Sequence, residues 1–436
     1  MQKQKILIIG GGGREHAVGW KVAQSPRAGE LFFAPGNAGT ATLGTNVPIS
    51  ATDIPALINF AKKENIDLTL ALPDDPLSLG IVDQFNAEGL RIWGPTKAAA
   101  QLESSKAYAK DFMKRHNLPT AKFETFTDFE KAKEYVANGS LPVVIKASGL
   151  ALGKGVVICE TLNQANEALE NMLVKKVFGE SGATVVIEEF LLGPEISIHA
   201  FCDGENYKIF PSAQDHKRVG VGDTGPNTGG MGTVAPVPFA STELMKKIEE
   251  SIVAPTLRAM VADGIPFQGV LFPGLMLTKD GPKILEFNAR FGDPETQSFM
   301  RLLDTDLIEI IEATLDHKLN EIEIKWKPLF ACNIVLASLG YPGNYEKGKV
   351  ITGLEKFPPL DKGEVPEAEG VVLFHAGTKA ENGELLTNGG RVLGVSATGN
   401  TLPEALEKAY KAIESINFDG MQYRKDIGKN AMKMLE

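Results

Sequence analysis

LPVVIKASGLALGKGVVI (141–158) sets one apolar run, LPVVIK (141–146), against a second, GVVI (155–158), across a loop of glycines. Two short β-type runs joined in this way predict neighbouring strands with a flexible hairpin between them. The loop looks like a Walker A motif and is not one. That motif needs Gly five positions before the Gly-Lys pair and Ser or Thr after it. Ser148 and Gly155 stand there instead, and the segment leads into a strand rather than a helix. What remains is a hairpin carrying two lysines, Lys146 ending an apolar strand and Lys154 at the tip. An ammonium closing a Val/Ile run asks for an anion, and a mobile loop can fold over a triphosphate. The alternative is that both lysines reach into water.

Upstream of this hairpin the chain alternates two patterns. Ile6–Ile9, Glu30–Ala34 and Asp67–Leu72 are apolar runs, Arg14–Ser25 and Ile54–Glu64 are helix-like, and GLRIWGP (89–95) closes the unit. Strands separated by single helices predict a parallel sheet. Lys97–His116 reads as one long helix. From Phe123 a strand–helix–strand order, then a helix over Leu162–Leu173 and a strand over Thr184–Glu188, predicts a small α+β unit. Residues 193–323 are glycine- and loop-rich, with a helix at Thr242–Ala262 and strands near Gly269–Leu277 and Lys283–Asn288. A further α+β segment closes the chain, its helix over Leu402–Ser415 opened by Thr401 three residues before Glu404. The expected division is 1–103, 104–323 with a lid at about 121–190, and 324–436.

Composition narrows the partners. With 436 residues, 43% hydrophobic and 23% charged, the chain is globular and has room for several domains. Its formal charge of −10 disfavours nucleic acid and anionic membranes. Cys159, Cys202 and Cys332 stand far apart, which excludes a disulfide framework and a zinc ribbon and predicts a reducing cytoplasm. The apolar stretch Ile6–Ile9 is shorter than the roughly seven residues of a secretory core, so no targeting segment is expected. Glycine is in excess at 10–13, 220–232 and 388–399, where close backbone approach to a ligand would use it.

Four further stretches carry chemistry. GGGGREHA (10–17) follows a strand and opens a helix, but it fails as a dinucleotide fingerprint, because Glu15 or His16 falls in the third glycine slot. A glycine turn at a helix N-terminus remains an anion site, or else a tight turn with no ligand. EEFLLGPE (188–195) leaves a strand, where backbone groups can read an adenine edge and a later carboxylate can grip ribose. In KILEFNARFGDPE (283–295), alternation places Ile284, Glu286 and Asn288 on one strand face, and the two side-chain oxygens suit Mg²⁺. Arg290 follows, placed for a carboxylate or oxyanion. QDHKR (214–218) and TGPNTGGMG (224–232) form a long irregular connection of the kind that is functional inside a compact domain. No histidine pair has metal-ligand spacing and no serine elbow is present, so zinc catalysis and hydrolase triads have no support.

Taken in order, these segments resemble one family over essentially the whole chain: the phosphoribosylamine–glycine ligases (glycinamide ribonucleotide synthetases), ATP-grasp enzymes of purine biosynthesis. APGNAGT (34–40), GPTKAAAQLESSKAYAKDFM (94–113), FHAGTK (374–379) and TNGGRVL (387–393) complete the match. The resemblance implies an N-terminal parallel-sheet domain, an ATP-grasp domain with a mobile lid, and a small C-terminal α+β domain. It implies ATP and Mg²⁺, with Mn²⁺ as an alternative, small-molecule substrates, and no obligatory protein partner. Lys106, Lys146 and Lys154 would contact ATP phosphates. Glu188, Glu189 and Leu191 would line the adenine hinge, with Glu195 on the ribose. Glu286 and Asn288 would hold Mg²⁺. Arg290, Asp215 and the rest of 214–232 would surround glycine and the ribosylamine, while Gly11, Gly12, Gly13 and Asn37 would face the phosphoribosyl group. Arg290 and Lys154 would be catalytic. Two segments depart from the family pattern: ALPDD (71–75) carries Leu72 for Gly and Asp74 for Glu, and Ser148 stands where Asp is usual. Competing readings are another ATP-grasp ligase, a nucleotide-binding dehydrogenase and a non-catalytic ATP sensor.

Overall fold

Ile6–Ile9 have no exposed surface at all, as expected of a strand covered on both faces. In the computed structural model, which describes residues 3–151, 155–357 and 370–434, they sit in the central strand Gln4–Gly10 of a five-stranded parallel sheet. Its neighbours are Ala28–Pro35 on one side and Leu68–Ala71 on the other. The strand order therefore reverses beside Gly10, and the carboxyl ends of these strands open a crevice at that point. The connecting helices form where the sequence permits. Ile54–Glu64 starts at Asp53, whose carboxylate accepts from the Ala56 amide, and ends at Asn65 in the left-handed region. Leu72, the departure from the family pattern, is a buried core residue here.

The predicted long helix over 97–116 is two helices, Lys97–Ser104 and Lys106–Arg115. Ser105 breaks it with extended dihedrals (φ −139°, ψ 100°), and its hydroxyl then accepts from the Tyr108 amide as the cap of the second helix. Ser148 supplies the other half of this start. Its carbonyl accepts from the Lys106 amide at 2.7 Å and its hydroxyl from the Ala107 amide at 3.0 Å. An Asp carboxylate likewise accepts from backbone amides at a helix start.

Residues 123–189 form their own antiparallel sheet in the order Phe123–Phe126, Val185–Glu189, Val143–Ala147, Val156–Cys159. The helices Phe129–Ala137 and Leu162–Leu169 cover it and give it a separate apolar core. The two runs at 141–146 and 155–158 do pair, Val143 opposite Cys159 and Lys146 opposite Val156. A second antiparallel sheet holds the long strands Gln268–Thr278 and Gly281–Asn288.

A third sheet runs across the expected boundary at 324. Gln214–Asp215 and Gly232–Ala235 pair on to Phe330–Ser338, which continues through Arg391–Gly399 to Val371–His375. The last helix, Leu402–Ile413, opens as expected, with Thr401 accepting from the Glu404 amide. Helices Glu295–Leu302 and Leu307–Leu315, which the sequence pattern did not single out, are buried on almost every face. Among the described residues no helix is long and apolar enough to cross a membrane. Because Ser105 caps the helix that begins with Lys106, Ser105→Ala is expected to lower stability by about 1 kcal/mol in urea unfolding. An unchanged midpoint would remove the cap from the account.

Candidate active site

Lys146 ends a strand, and its ammonium has a buried partner rather than water. Glu188, on the adjacent strand directly opposite Val144, places one carboxylate oxygen 2.9 Å from Lys146 and the other 3.0 Å from Lys110. Lys110 and Glu188 are 2% exposed and Lys146 is 7% exposed, so the triad is effectively dry. The ammoniums are further tied to Leu285 O at 3.0 Å and Thr120 Oγ1 at 2.6 Å. Burial pushes Lys110 down to about 8, opposed by Glu188. Lys106 heads its helix, donates to Gly149 O at 3.3 Å, and is likewise pushed down by burial, with Glu286 opposing. The Glu188 side chain, expected at the adenine hinge, thus points inward between two lysines, and only the segment after it is free to meet a base. Glu189, on the opposite strand face, accepts from the Lys122 amide and from Lys283. Leu191 is buried.

The strand Gly281–Asn288 carries a bulge. Gly274 pairs with Glu286 and Leu275 with Ile284, so Leu285 is the extra residue. Strict alternation through Ile284 is therefore broken. Ile284 turns into the apolar core with Phe287, while Glu286 and Asn288 share the other face. Lys217 lies 3.5 Å from Glu286 and 3.2 Å from Glu195, joining the expected metal residue to the expected ribose residue. Burial opposes the Glu286 charge, but Lys217, Lys146 and Lys106 outweigh it and hold the carboxyl down to about 2. Burial opposes the Lys217 charge in turn, and Glu195 and Glu286 hold it above the ordinary lysine range. Asn288 Oδ1 accepts from Arg290 at 3.1 Å. Arg290 is anchored by Glu103 at 2.8 Å and by Phe291 O, with Nε buried and, among the described residues, unpartnered. A carboxylate that stays ionised and an amide oxygen on the same strand face fit a hard divalent ion. Among the described residues no cluster of three or more His, Cys, Asp or Glu is arranged to hold a metal, so phosphates and water would complete the shell.

At the crevice the glycine turn is already partly engaged. The Gly12 amide donates to Glu15 at 2.7 Å, and Glu15 also holds Arg14. Gly11 packs so tightly that a Cβ would lie 2.5 Å from Gly36 O. Asn37, expected on the substrate, is a staple. Its amide donates to Gly11 O and His375 O, and its oxygen accepts from the Gly39 and Thr40 amides. Across the crevice lie Asp215 and Glu295. Burial and the Glu295 charge push Asp215 well above the usual carboxylate range, and burial raises Glu295 too. Ser197 donates to Glu295 at 3.1 Å. Gly230 fits between Asp215 and Pro294 at φ +113°, where a Cβ would sit 2.4 Å from the proline ring.

The structure therefore gathers Lys106, Lys146, Glu195, Glu286, Asn288, Arg290 and Asp215 along one cleft; Lys154 lies outside the described residues. Sequence reading missed Lys110, Glu103, Asp293, Glu295 and Arg391, and placed Lys217 only as part of the 214–232 segment around glycine and the ribosylamine. Lys110 and Glu103 had one signal, a charge on the face of a helix pattern that should be buried. Asp293, Glu295 and Arg391 stood inside quoted motifs with no role attached.

Family models match three consecutive parts of the chain: the N domain of phosphoribosylglycinamide synthetase at 4–103, its ATP-grasp (A) domain at 104–296 and its C domain at 331–430. The chain is 50% identical over 430 residues to the phosphoribosylamine–glycine ligase of Vibrio vulnificus (strain YJ016), covering 98% of each. It is 47% identical over 432 residues to that of Chlorobaculum tepidum, covering 98% of this chain and all of that one. The crystal structure of the Thermotoga maritima phosphoribosylamine–glycine ligase superposes with a TM-score of 0.82 at 38% identity, covering 97% of this chain and all of that chain. The biotin carboxylase domain of Hydrogenobacter thermophilus 2-oxoglutarate carboxylase shares the fold, with a TM-score of 0.74 at 14% identity over 97% and 92% of the two chains. The buried triad gives a direct check. Lys110→Met leaves Glu188 with one cation and should lower stability by about 3 kcal/mol in denaturant unfolding. A loss under about 0.5 kcal/mol would mean that Lys146 alone satisfies it.

Proposed function

The chain belongs to the phosphoribosylamine–glycine ligase family, and from that premise we propose how its residues divide the reaction. The enzyme joins glycine to 5-phosphoribosylamine in purine biosynthesis, forming glycinamide ribonucleotide. In our reading a glycine carboxylate oxygen attacks the γ-phosphorus of ATP, the bond to ADP breaks, and glycyl phosphate forms. The ribosylamine nitrogen then attacks the carbonyl carbon. The carbon–oxygen bond to phosphate breaks, phosphate leaves, and the nitrogen gives up a proton.

Lys106, Lys146 and Lys154 bind the ATP phosphates, Lys154 from the glycine hairpin of the lid. The segment Glu189–Leu191 meets adenine through its backbone and apolar surface, and Glu195 takes the ribose. Arg290, fixed by Glu103, faces the glycine carboxylate, and Asp215 faces its ammonium. Gly11–Gly13 face the phosphoribosyl group. Mg²⁺ held by Glu286 and Asn288 would neutralise phosphate charge when bound, and Mn²⁺ suits the same oxygens. The protein contributes chiefly position and charge, so no activated nucleophile is needed. The reaction requires no nucleic acid, membrane or protein partner. Three buried free cysteines support a reducing, cytoplasmic setting.

The observation that carries this reading is the convergence of Lys106, Lys146 and Lys217 on Glu286, which builds a phosphate- and metal-compatible site from three separate segments. Phosphate release should require ATP, glycine and phosphoribosylamine together; release without either acceptor substrate would sink the reading. Glu286→Gln keeps the volume and one oxygen while removing the charge. It should cut turnover by about a hundredfold or more and raise the Mg²⁺ requirement while the protein stays folded. Wild-type rate and metal dependence in that variant would place the metal elsewhere.

A further inference from the structure

Arg391 lies on the strand Arg391–Gly399 of the C-terminal sheet, yet among the described residues its guanidinium bonds outside that sheet, to Gly229 and Asp293. One nitrogen donates to Gly229 O at 2.8 Å and to Asp293 O at 2.7 Å, and the other lies 3.0 Å from Asp293 Oδ2. Gly229 belongs to the glycine-rich loop, and its amide donates at 3.0 Å to the hydroxyl of Tyr341, also from the C-terminal segment. Asp293 faces the N-terminal turn: a Cβ on Gly12 would sit 3.6 Å from its Oδ2, and Gln297 donates to its Oδ1 at 2.9 Å. One side chain thus ties the loop on one wall of the crevice to the carboxylate on another. Burial opposes the Asp293 charge, but Arg391 and Arg14 hold it below the ordinary range, so it remains an acceptor.

We propose that Arg391 is a positioning residue for the ribosylamine half of the ligation, setting the glycine-rich loop and Asp293 in place as one unit beside the Gly10–Gly13 turn. The inference rests on the ligase reading above. A planar fork with several fixed donors suits a three-acceptor joint, and a lysine ammonium cannot span it in the same geometry. A slackened joint would leave ATP chemistry intact while the amine meets glycyl phosphate less often, so more intermediate would be lost to water.

Arg391→Met and Arg391→Lys test this, with kcat and KM measured for all three substrates and with phosphate release compared against product formed. Both variants should raise the KM for phosphoribosylamine about tenfold or more, leave the KM for ATP within about twofold, and release more phosphate than they make product. Tyr341→Phe, which removes only the acceptor of the Gly229 amide, should shift the same KM by a smaller factor. A merely structural role would lower the thermal midpoint and the active fraction without changing any KM. That result, or an ATP KM that rises as much as the ribosylamine KM, overturns the proposal. Should Arg391→Met not fold, Arg391→Lys decides by the same criteria. A wild-type enzyme that releases phosphate without both acceptors overturns the ligase reading and this inference together. A wild type that needs both, with unchanged KM values in the variants, overturns this inference alone.

Discussion

Glu188 sits dry between Lys110 and Lys146, and the proposed nucleotide half of the cleft depends on that contact. Removing three charges from water is strongly unfavourable unless each finds a close partner. Here the partners come from a helix and two adjacent strands, so the three elements must dock together or not at all. The same contact explains a lysine at the end of a Val/Ile strand: its ammonium is held by Glu188 and Leu285 O. Around the triad, Lys106 and Lys217 meet Glu195 and Glu286, so four ammonium groups face three carboxylates. A site with surplus positive charge in a partly dry setting favours a polyphosphate, since weak solvent screening strengthens each interaction.

What the sequence made legible follows from how local each signal is. The alternation in the first hundred residues, the paired runs at 141–158 and the helix behind Thr401 rest on neighbours in the chain, and each formed where it was expected. Ser105 was read as mid-helix because the helical pattern continues on both sides of it, although Ser also favours caps. Its break is set by Ser148, forty-three residues away, which satisfies the amides of Lys106 and Ala107. The bulge at Leu285 has no sequence signature either, since it arises from the pairing with Gly274 and Leu275. Strands as short as Gln214–Asp215 and Gly232–Ala235 show no period at all, so their membership of the C-terminal sheet was invisible.

Site residues divide in the same way. Glu286, Asn288 and Arg290 lie within five positions of one another, and their chemistry can be read from spacing. Glu188 and Asn37 were assigned to ligands because they stand in matching motifs, yet their side chains are spent on Lys110 and Lys146 and on Gly11 and His375. A motif marks a position as constrained without saying whether the constraint is contact with substrate or support of what contacts it. Only partners and burial distinguish the two, and both are properties of the fold.

Charge is distributed unevenly along the cleft, and this bears on how a small zwitterion would lie there. Lysines gather at the nucleotide end, Asp215 and Glu295 at the other, and Arg290 stands between them on its Glu103 anchor. Burial pushes both carboxyls upward, the Glu295 charge adds to it at Asp215, and a ligand ammonium would favour their ionised forms. In the proposed reading glycine therefore lies with its ammonium toward Asp215 and its carboxylate toward Arg290 and the phosphates. Two unit charges about 4 Å apart interact by about 4 kcal/mol at an effective dielectric near 20, and a reversed glycine would meet like charge at both ends. Orientation alone then brings a carboxylate oxygen to the γ-phosphate, the condition the first chemical step requires. The pocket can do this without a nucleophile of its own, because its fixed charges have already selected the reactive arrangement.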